Sequence, residues 1–312
     1  MAANAGFAHL PQDVRPIAAL DAEARIAHIH AERWVQNPAA DRVLGYLHEA
    51  STQPRRERME NILLIGESGM GKTMLIRKFE RQTAVAFDDG AGVQQRPVVV
   101  MLMPHEPAER AFFVQLLQAM HAPAGAHLNS GYPVQAVVMR LLGELQTRLV
   151  VIDEINSVLA GTPRQQRIFL QLLRFMSNEL RLAFVGVSVP EARHALLSDS
   201  QFRSRFTDVE LLPWTDGEAL RGFVNRLAWS LPLREPSPVD SSKLRRLLVE
   251  RTGGVTLGIC KALERAAVAA IRGGTERIGL ESFNDPEIWR GVAAPTRDTR
   301  PQRRAGAVRQ GA

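Results

Sequence analysis

Cysteine is nearly missing from this chain. Cys260 is the only one in 312 residues, which excludes an internal disulfide. Within "LGICKALERAAVAAI" it reads as a small buried hydrophobe rather than a reactive thiol. There is no apolar run near the roughly 18 residues needed to cross a bilayer. The opening "MAANAGFAHLPQD" has neither the basic start nor the apolar stretch of a secretion signal, so a cytoplasmic location is expected. Lysine is scarce as well: Lys72, Lys78, Lys243 and Lys261 are the only four among 39 basic residues. Against so strong a preference for arginine, a lysine at position 72 is less of an accident. No internal repeat, helix-turn-helix or zinc motif stands out. The net charge of +6 permits an anionic partner without requiring one.

What is present is an ordinary globular composition, 45% hydrophobic and 23% charged, on a chain long enough to bury a full core. Residues 1–60 read as helical and irregular. "LDAEARIAHIHAERWVQ" sets Leu20, Ile26, Ile29 and Trp34 at near-helical spacing, and "NPAADRVLGYLHEA" restarts a helix with Asn37 as cap and Pro38 in its first turn. In "STQPRRERMEN", Arg55, Arg56 and Arg58 read as a solvated face.

From 61 onward short apolar strands alternate with helices. "ILLIG" leads to a helix at 72–82, and a Gly/Gln/Pro-rich connection at 88–97 leads to the strand "VVVMLM". Helices at 107–121 and 132–147 precede "RLVVIDE", and a helix at 164–179 precedes "LAFVGVS". This alternation predicts an α/β core, a parallel sheet covered by helices on both faces, over 61–212. After "LLPW" only helices follow, the first opened by an expected capping box from Thr215 to Glu218 and the next two each ended by a glycine pair. They predict a small helical domain at 213–290. The tail 291–312 is almost free of apolar residues and is expected to be disordered.

Four features carry chemistry. Gly66-Glu67-Ser68-Gly69-Met70-Gly71-Lys72-Thr73, followed by Met74, fits G-x-x-x-x-G-K-[ST] at every fixed position, between a strand and a helix. The backbone N–H groups of such a loop converge on phosphate oxygens at a helix N-terminus. Lys72 would reach the β and γ phosphates, and the Thr73 hydroxyl would bind Mg²⁺. "LVVIDE" ends a strand on two acids at the edge where that loop lies. Asp153 would hold the Mg²⁺ shell, and Glu154 would orient or deprotonate an attacking water. "LAFVGVS" ends on Ser188, which either reports the γ-phosphate or is a simple strand-terminal serine. In "SDSQFRSRFTDVELLPW", Arg203 and Arg205 precede the last strand. They could stabilise transition-state charge in a neighbouring subunit, although surface arginines are common in this chain.

The order P-loop, "VVIDE", polar strand end, "RSRF" and helical lid looks like an AAA+ ATPase core of the initiator type. The opening "RIAHIHAERWVQNPAADRVLGYLHEA…RRERMENILLIGESGMGKTMLIRKF" closely resembles the TniB family of transposition ATPases, relatives of TnsC and more distantly of Mu B. The resemblance runs from about residue 20 to 285. It implies an AAA+ P-loop NTPase with a C-terminal helical lid, binding ATP and Mg²⁺ between subunits of a ring or helical filament on double-stranded DNA. It further implies recruitment of a DDE-type, TniA-like transposase and a TniQ-like partner, with no membrane involved. Lys72, Thr73, Asp153 and Glu154 would then turn over nucleotide, and Arg203 and Arg205 would complete the neighbour's site. Arg33, Trp34 and Val35 would lie near the adenine, with Trp34 alternatively a core anchor. One departure is that "RTGGVTLGICKAL" offers no arginine between Gly253 and Cys260, where many lids present one to the γ-phosphate. Lys261 is the nearest substitute.

If DNA is bound, a few phosphate contacts per subunit on an assembled inner surface are expected, salt-sensitive and largely sequence-independent. Candidates are Glu106 to Arg110 and the surroundings of Arg140. The tail arginines Arg297, Arg300, Arg303, Arg304 and Arg309 serve contact or solubility. A helicase loader or replication initiator shares the core but usually appends a DNA-reading domain. A remodelling or secretion ATPase would show an aromatic pore loop or membrane segment. A small-molecule kinase has no need of the acidic pair.

Overall fold

The computed structural model describes residues 7–83, 86–88, 93–122, 133–196 and 203–292. Its strands are β1 (Asn61–Gly66), β2 (Ala86–Asp88), β3 (Val93–Gln95), β4 (Val98–Leu102), β5 (Leu149–Asp153), β6 (Ala183–Ser188) and β7 (Phe206–Leu211). Five of them form one parallel sheet in the order β4-β5-β6-β1-β7. Every residue of β1, β5 and β6 is buried, as strands covered on both faces must be.

Alternation along these strands feeds two separate cores. Leu63, Ile65, Val150, Ile152 and Phe184 face one side, where they meet α5 (Glu109–Ala119), α6 (Val134–Glu144) and α7 (Pro163–Leu180) through Phe112, Leu116, Val138, Phe169 and Leu173. Ile62, Leu64, Leu149, Val151 and Val185 face the other, against Val43 and Leu47 of α3 (Pro38–Thr52) and Leu75, Ile76 and Phe79 of α4 (Lys72–Gln82). Asn37 caps α3 as expected, its side chain accepting from the Ala40 N–H with Pro38 in the first turn.

A third core is wholly helical. It joins α9 (Glu218–Trp229), α10 (Ser242–Thr252) and α11 (Thr256–Gly273), and it includes Ile26 and Ile29 of α2 (Ala22–His30), the helix that follows the short α1 (Arg15–Ala18). Arg25 secures that helix with a two-pronged ion pair to Glu276 at 2.6 and 2.8 Å. The chain before β1 is therefore shared, α2 packing with the C-terminal helices and α3 with the sheet.

Several local expectations change. The helical spacing of Leu20 and Trp34 does not survive: α2 spans Ala22–His30, Ala31 is extended, and Leu20 is exposed. Arg33 stops the helix by donating to the carbonyls of His28 and Ile29, side-chain partners for a helix C-terminus. The connection expected at 88–97 is overlapped by the antiparallel pair β2–β3, in which Ala86 faces Gln95 and Asp88 faces Val93. An additional helix, α8 (Pro190–Leu196), follows β6. The capping box from Thr215 is not formed: α9 starts at Glu218 with extended Gly217 as N-cap, while Asp216 binds Arg245 and Arg246 of α10. Among the described residues no helix is long and apolar enough to cross a membrane. The tail arginines 297–309 lie outside the described residues.

Candidate functional site

The glycine loop after β1 is shaped by backbone freedom. Gly69 and Gly71 have φ of +80 and +89, the region where a side chain is strained, and Gly71 is the N-cap of α4. A Cβ at Gly66 would stand 3.0 Å from the Leu211 carbonyl oxygen of β7. Lys72, the first residue of α4, is mostly buried, and its amine donates to the carbonyls of Gly66 at 2.5 Å and Glu67 at 3.0 Å. Burial lowers its pKa, while Glu154, Asp153 and Glu67 pull the other way.

The β4–β5–β6–β1 edge brings the second motif alongside. The Thr73 hydroxyl donates to Asp153 Oδ2 at 2.8 Å, across 80 residues of sequence. A hydroxyl and a carboxylate so paired suit Mg²⁺, which takes most of its ligands from phosphate and water. Among the described residues no cluster of three or more His, Cys, Asp or Glu is placed to hold a metal ion. Glu154 stands at φ 57, ψ 40, a left-handed conformation costing a non-glycine residue about 1–2 kcal/mol. Its carboxylate accepts from Asn156 Nδ2 at 3.1 Å, and Asn156 Oδ1 is 3.5 Å from the buried Ser188 hydroxyl. Ser188 also donates to the Val189 carbonyl at 3.3 Å. Asn156 had no sequence signal beyond an amide two residues past the acidic pair.

Beside the loop lies a cavity of about 780 Å³, within the range of small-molecule sites. Met70, Met74, Trp214 and Leu257 line it together with Arg33, Trp34 and Val35. Residues 31–37 thus run across the cavity as a strap from α2, in the helical core, to α3, on the sheet. Arg33 also reaches the Ser230 carbonyl at the end of α9, and Arg226 of α9 reaches the Gln36 carbonyl. Trp34 packs on the sheet side with Lys78 Nζ 4.7 Å from its ring centre, and its buried indole N–H has no acceptor among the described residues. Deeper in, burial raises the pKa of Glu264, opposed by Arg33, and pushes the Cys260 thiol up to about 12.

The helical lobe touches the loop directly. The Leu257 N–H at the start of α11 donates to the Gly69 carbonyl at 2.9 Å, and the Trp214 N–H donates to the Gly254 carbonyl at 2.8 Å. The Trp214 indole donates to Thr256 Oγ1 at 3.0 Å and stacks on Phe223 at 4.7 Å. Lys261 is exposed and is not among the residues lining the cavity.

Lys72, Thr73, Asp153, Glu154, Ser188 and the strap gather at one edge of the sheet; Arg203 and Arg205 do not. Asn61 pairs with Phe206 and Gly66 with Leu211, so Arg205 sits at the opposite edge. Five steps of strand, about 16 Å, separate it from the glycine loop of its own chain, well beyond an arginine's reach. Arg203 is exposed at the same edge, and Arg110 and Arg140 are exposed elsewhere, Arg140 bridging to Glu144. Arg55, Arg56 and Arg58 are exposed, as a solvated face requires, and Arg58 also donates to Ser204.

A family profile described as bacterial TniB protein matches residues 25–216. Among solved structures the chain is similar to Cdc6p from Pyrobaculum aerophilum, with 17% identity and a TM-score of 0.58 over 85% of this chain and 70% of that one. It is also similar to the Aeropyrum pernix ORC1 protein in complex with DNA, at 18% and 0.53 over 83% and 67%. A third is the Aeropyrum pernix ORC2 protein in ADPNP–ADP complexes, at 15% and 0.50 over 85% and 70%. At these identities the likeness shows the fold alone, the AAA+ sheet with a C-terminal helical lobe. No curated protein sequence matches the chain.

Proposed function

The chain belongs to the bacterial TniB family of AAA+ ATPases, which implies a role in transposition, and from that premise we propose that it is an ATP-controlled scaffold on target DNA. In this reading 61–212 is the nucleotide-binding core and 213–290 the lid. ATP with Mg²⁺ favours an assembled ring or filament on double-stranded DNA, which recruits or activates a DDE-type, TniA-like transposase with a TniQ-like partner. Hydrolysis then releases subunits.

The observation that carries the reading is the separation of the glycine loop from Arg205 by the full length of the sheet. A molecule built this way offers half a site at each edge, and a head-to-tail neighbour supplies the other half. Gly66–Thr73 and Lys72 would grip the phosphates, and Thr73 and Asp153 would hold Mg²⁺, which neutralises phosphate charge when bound. Glu154 would orient water as Ser188 senses the γ-phosphate. Met74, Trp34 and the rest of the strap would enclose the base. Arg205, with Arg203, would meet the neighbour's phosphates. The ORC1 relative's complex with DNA and the ORC2 relative's ADPNP–ADP complexes are compatible with these ligands.

The test is sedimentation on random-sequence duplex DNA with ATP, ADP or no nucleotide, using the full chain, Lys72→Ala and Arg205→Ala. ATP-dependent, salt-sensitive assembly that both variants lose is expected. ATP turnover without DNA association under any nucleotide would refute the scaffold and favour a protein-remodelling ATPase.

A further inference from the structure

Arg205 is held at its tip as well as at its root. Its carbonyl accepts from the Asn61 N–H at 3.0 Å, and the Asn61 side chain accepts from the Phe184 N–H at 2.8 Å inside the sheet. Just before it, Arg58 Nη2 donates to the Ser204 carbonyl at 2.7 Å and to its hydroxyl at 3.2 Å. At the far end of the side chain, Arg205 Nη1 donates to Asn178 Oδ1 at 2.8 Å. Asn178 is exposed near the end of α7.

The charge balance of this corner is unusual. Burial, then the positive charges of Arg58 and Arg174, lower the pKa of Arg205. Among the described residues no carboxylate pairs with Arg58 or Arg205. Like-charged guanidinium groups oppose one another, and an anion placed among them relieves that repulsion. An amide oxygen can orient such a group through a hydrogen bond while leaving its charge intact. A carboxylate in the same place would orient it equally well and neutralise it.

We propose that Asn178 is the positioning residue of a trans-acting Arg205, a neutral acceptor that aims the guanidinium at the nucleotide polyphosphate of a second copy of this chain. This rests on the reading above that Arg205 works in trans. Arg58 contributes by pinning Ser204, so the backbone does not yield when the side chain is drawn outward. The choice of asparagine sets an order of effects that a purely structural hydrogen bond would not. Asn178→Ala loses the aim but keeps the charge. Asn178→Asp keeps the aim but cancels the charge.

The experiment is steady-state ATP turnover by the full chain on duplex DNA for wild type, Arg205→Ala, Asn178→Ala and Asn178→Asp, each alone and mixed with Glu154→Gln copies. Asn178→Ala is expected to lower kcat about tenfold through misplacement, and Asn178→Asp to lower it further, with KM within about twofold because other residues grip the nucleotide. Glu154→Gln copies are expected to keep nucleotide binding and assembly without turnover, and they carry an undisturbed Arg205. At equal mixing they should restore each Asn178→Asp copy to about half the wild-type rate, since half its neighbours then complete its site. The proposal is overturned if Asn178→Asp turns over as fast as Asn178→Ala or faster, or if Glu154→Gln copies restore Arg205→Ala but not the Asn178 variants. Wild-type turnover by Arg205→Ala overturns it too, and places the failure in the trans-arginine reading itself.

Discussion

Replacing Gly254 by alanine should loosen the joint between the helical lobe and the sheet, and the size of the effect can be worked out. Gly254 stands at φ +75, and its carbonyl receives the Trp214 N–H at 2.8 Å. An added Cβ would fall 2.2 Å from the Trp214 carbonyl oxygen and 2.8 Å from its nitrogen. Both are backbone atoms, so no rotamer relieves the overlap. The left-handed conformation costs alanine about 1–2 kcal/mol, overpacking adds about 1–3 kcal/mol, and loss of the hydrogen bond adds about 1 kcal/mol. With about 2.1 cal/mol/K of unfolding entropy per residue, 312 residues give about 1.5 °C per kcal/mol, so melting should fall by at least about 4.5 °C. Gly274→Ala is the internal control. Its φ is +73, but an added Cβ there meets nothing within 4 Å, so it carries only the conformational cost. Thermal scans by circular dichroism compare the two. Because the Trp214 indole is bonded to Thr256 and stacked on Phe223, its fluorescence should change in Gly254→Ala alone. Equal melting of the two variants would refute the argument, since it would show that the Trp214 backbone yields freely.

Glu154→Gln preserves side-chain shape and an acceptor for Asn156 but removes the carboxylate. Nucleotide binding should persist while single-turnover phosphate release falls at least about 100-fold, and unchanged release would remove Glu154 from the water-activating role. Glu276→Gln leaves Arg25, only 3% exposed, without its counter-charge and should destabilise the lobe by about 3 kcal/mol, measured by urea unfolding. The hydrogen bond from Arg25 holds Glu276 below its ordinary value of 4.5. A depressed carboxylate contributes stability that is full above about 4.5 and is lost as pH falls through the lower folded-state value. The acid limb of the wild-type stability profile should therefore be steeper than that of Glu276→Gln, and parallel limbs would contradict the assignment.

The strands and the helices on the sheet were legible because their signals are local. "NILLIG" and "LAFVGVS" are apolar without interruption, Asn37 and Pro38 mark a helix start, and the glycine pairs at 253 and 273 stop helices in the left-handed region. The glycine loop was equally plain, since its spacing is a statement about backbone conformation. Thr215 misled because a short-range capping pattern competes with partners elsewhere: Asp216 is engaged by Arg245 and Arg246 from another helix. Trp34 misled because the 3.6-residue period continues past His30 in the sequence while the backbone does not. Arg58 is exposed as its sequence suggests, but its bond to Ser204, 146 residues away, has no local signal.

The sequence by itself determined the glycine loop, the acidic strand end and the α/β alternation, because each is a pattern within a dozen residues, enforced by backbone sterics and burial. Only the tertiary structure decided that α2 belongs with the C-terminal helices, that residues 31–37 cross the cavity, and that Arg205 stands a full sheet length from its own loop with Asn178 at its tip. Those facts come from packing and strand register between segments distant in the chain. No local periodicity encodes them.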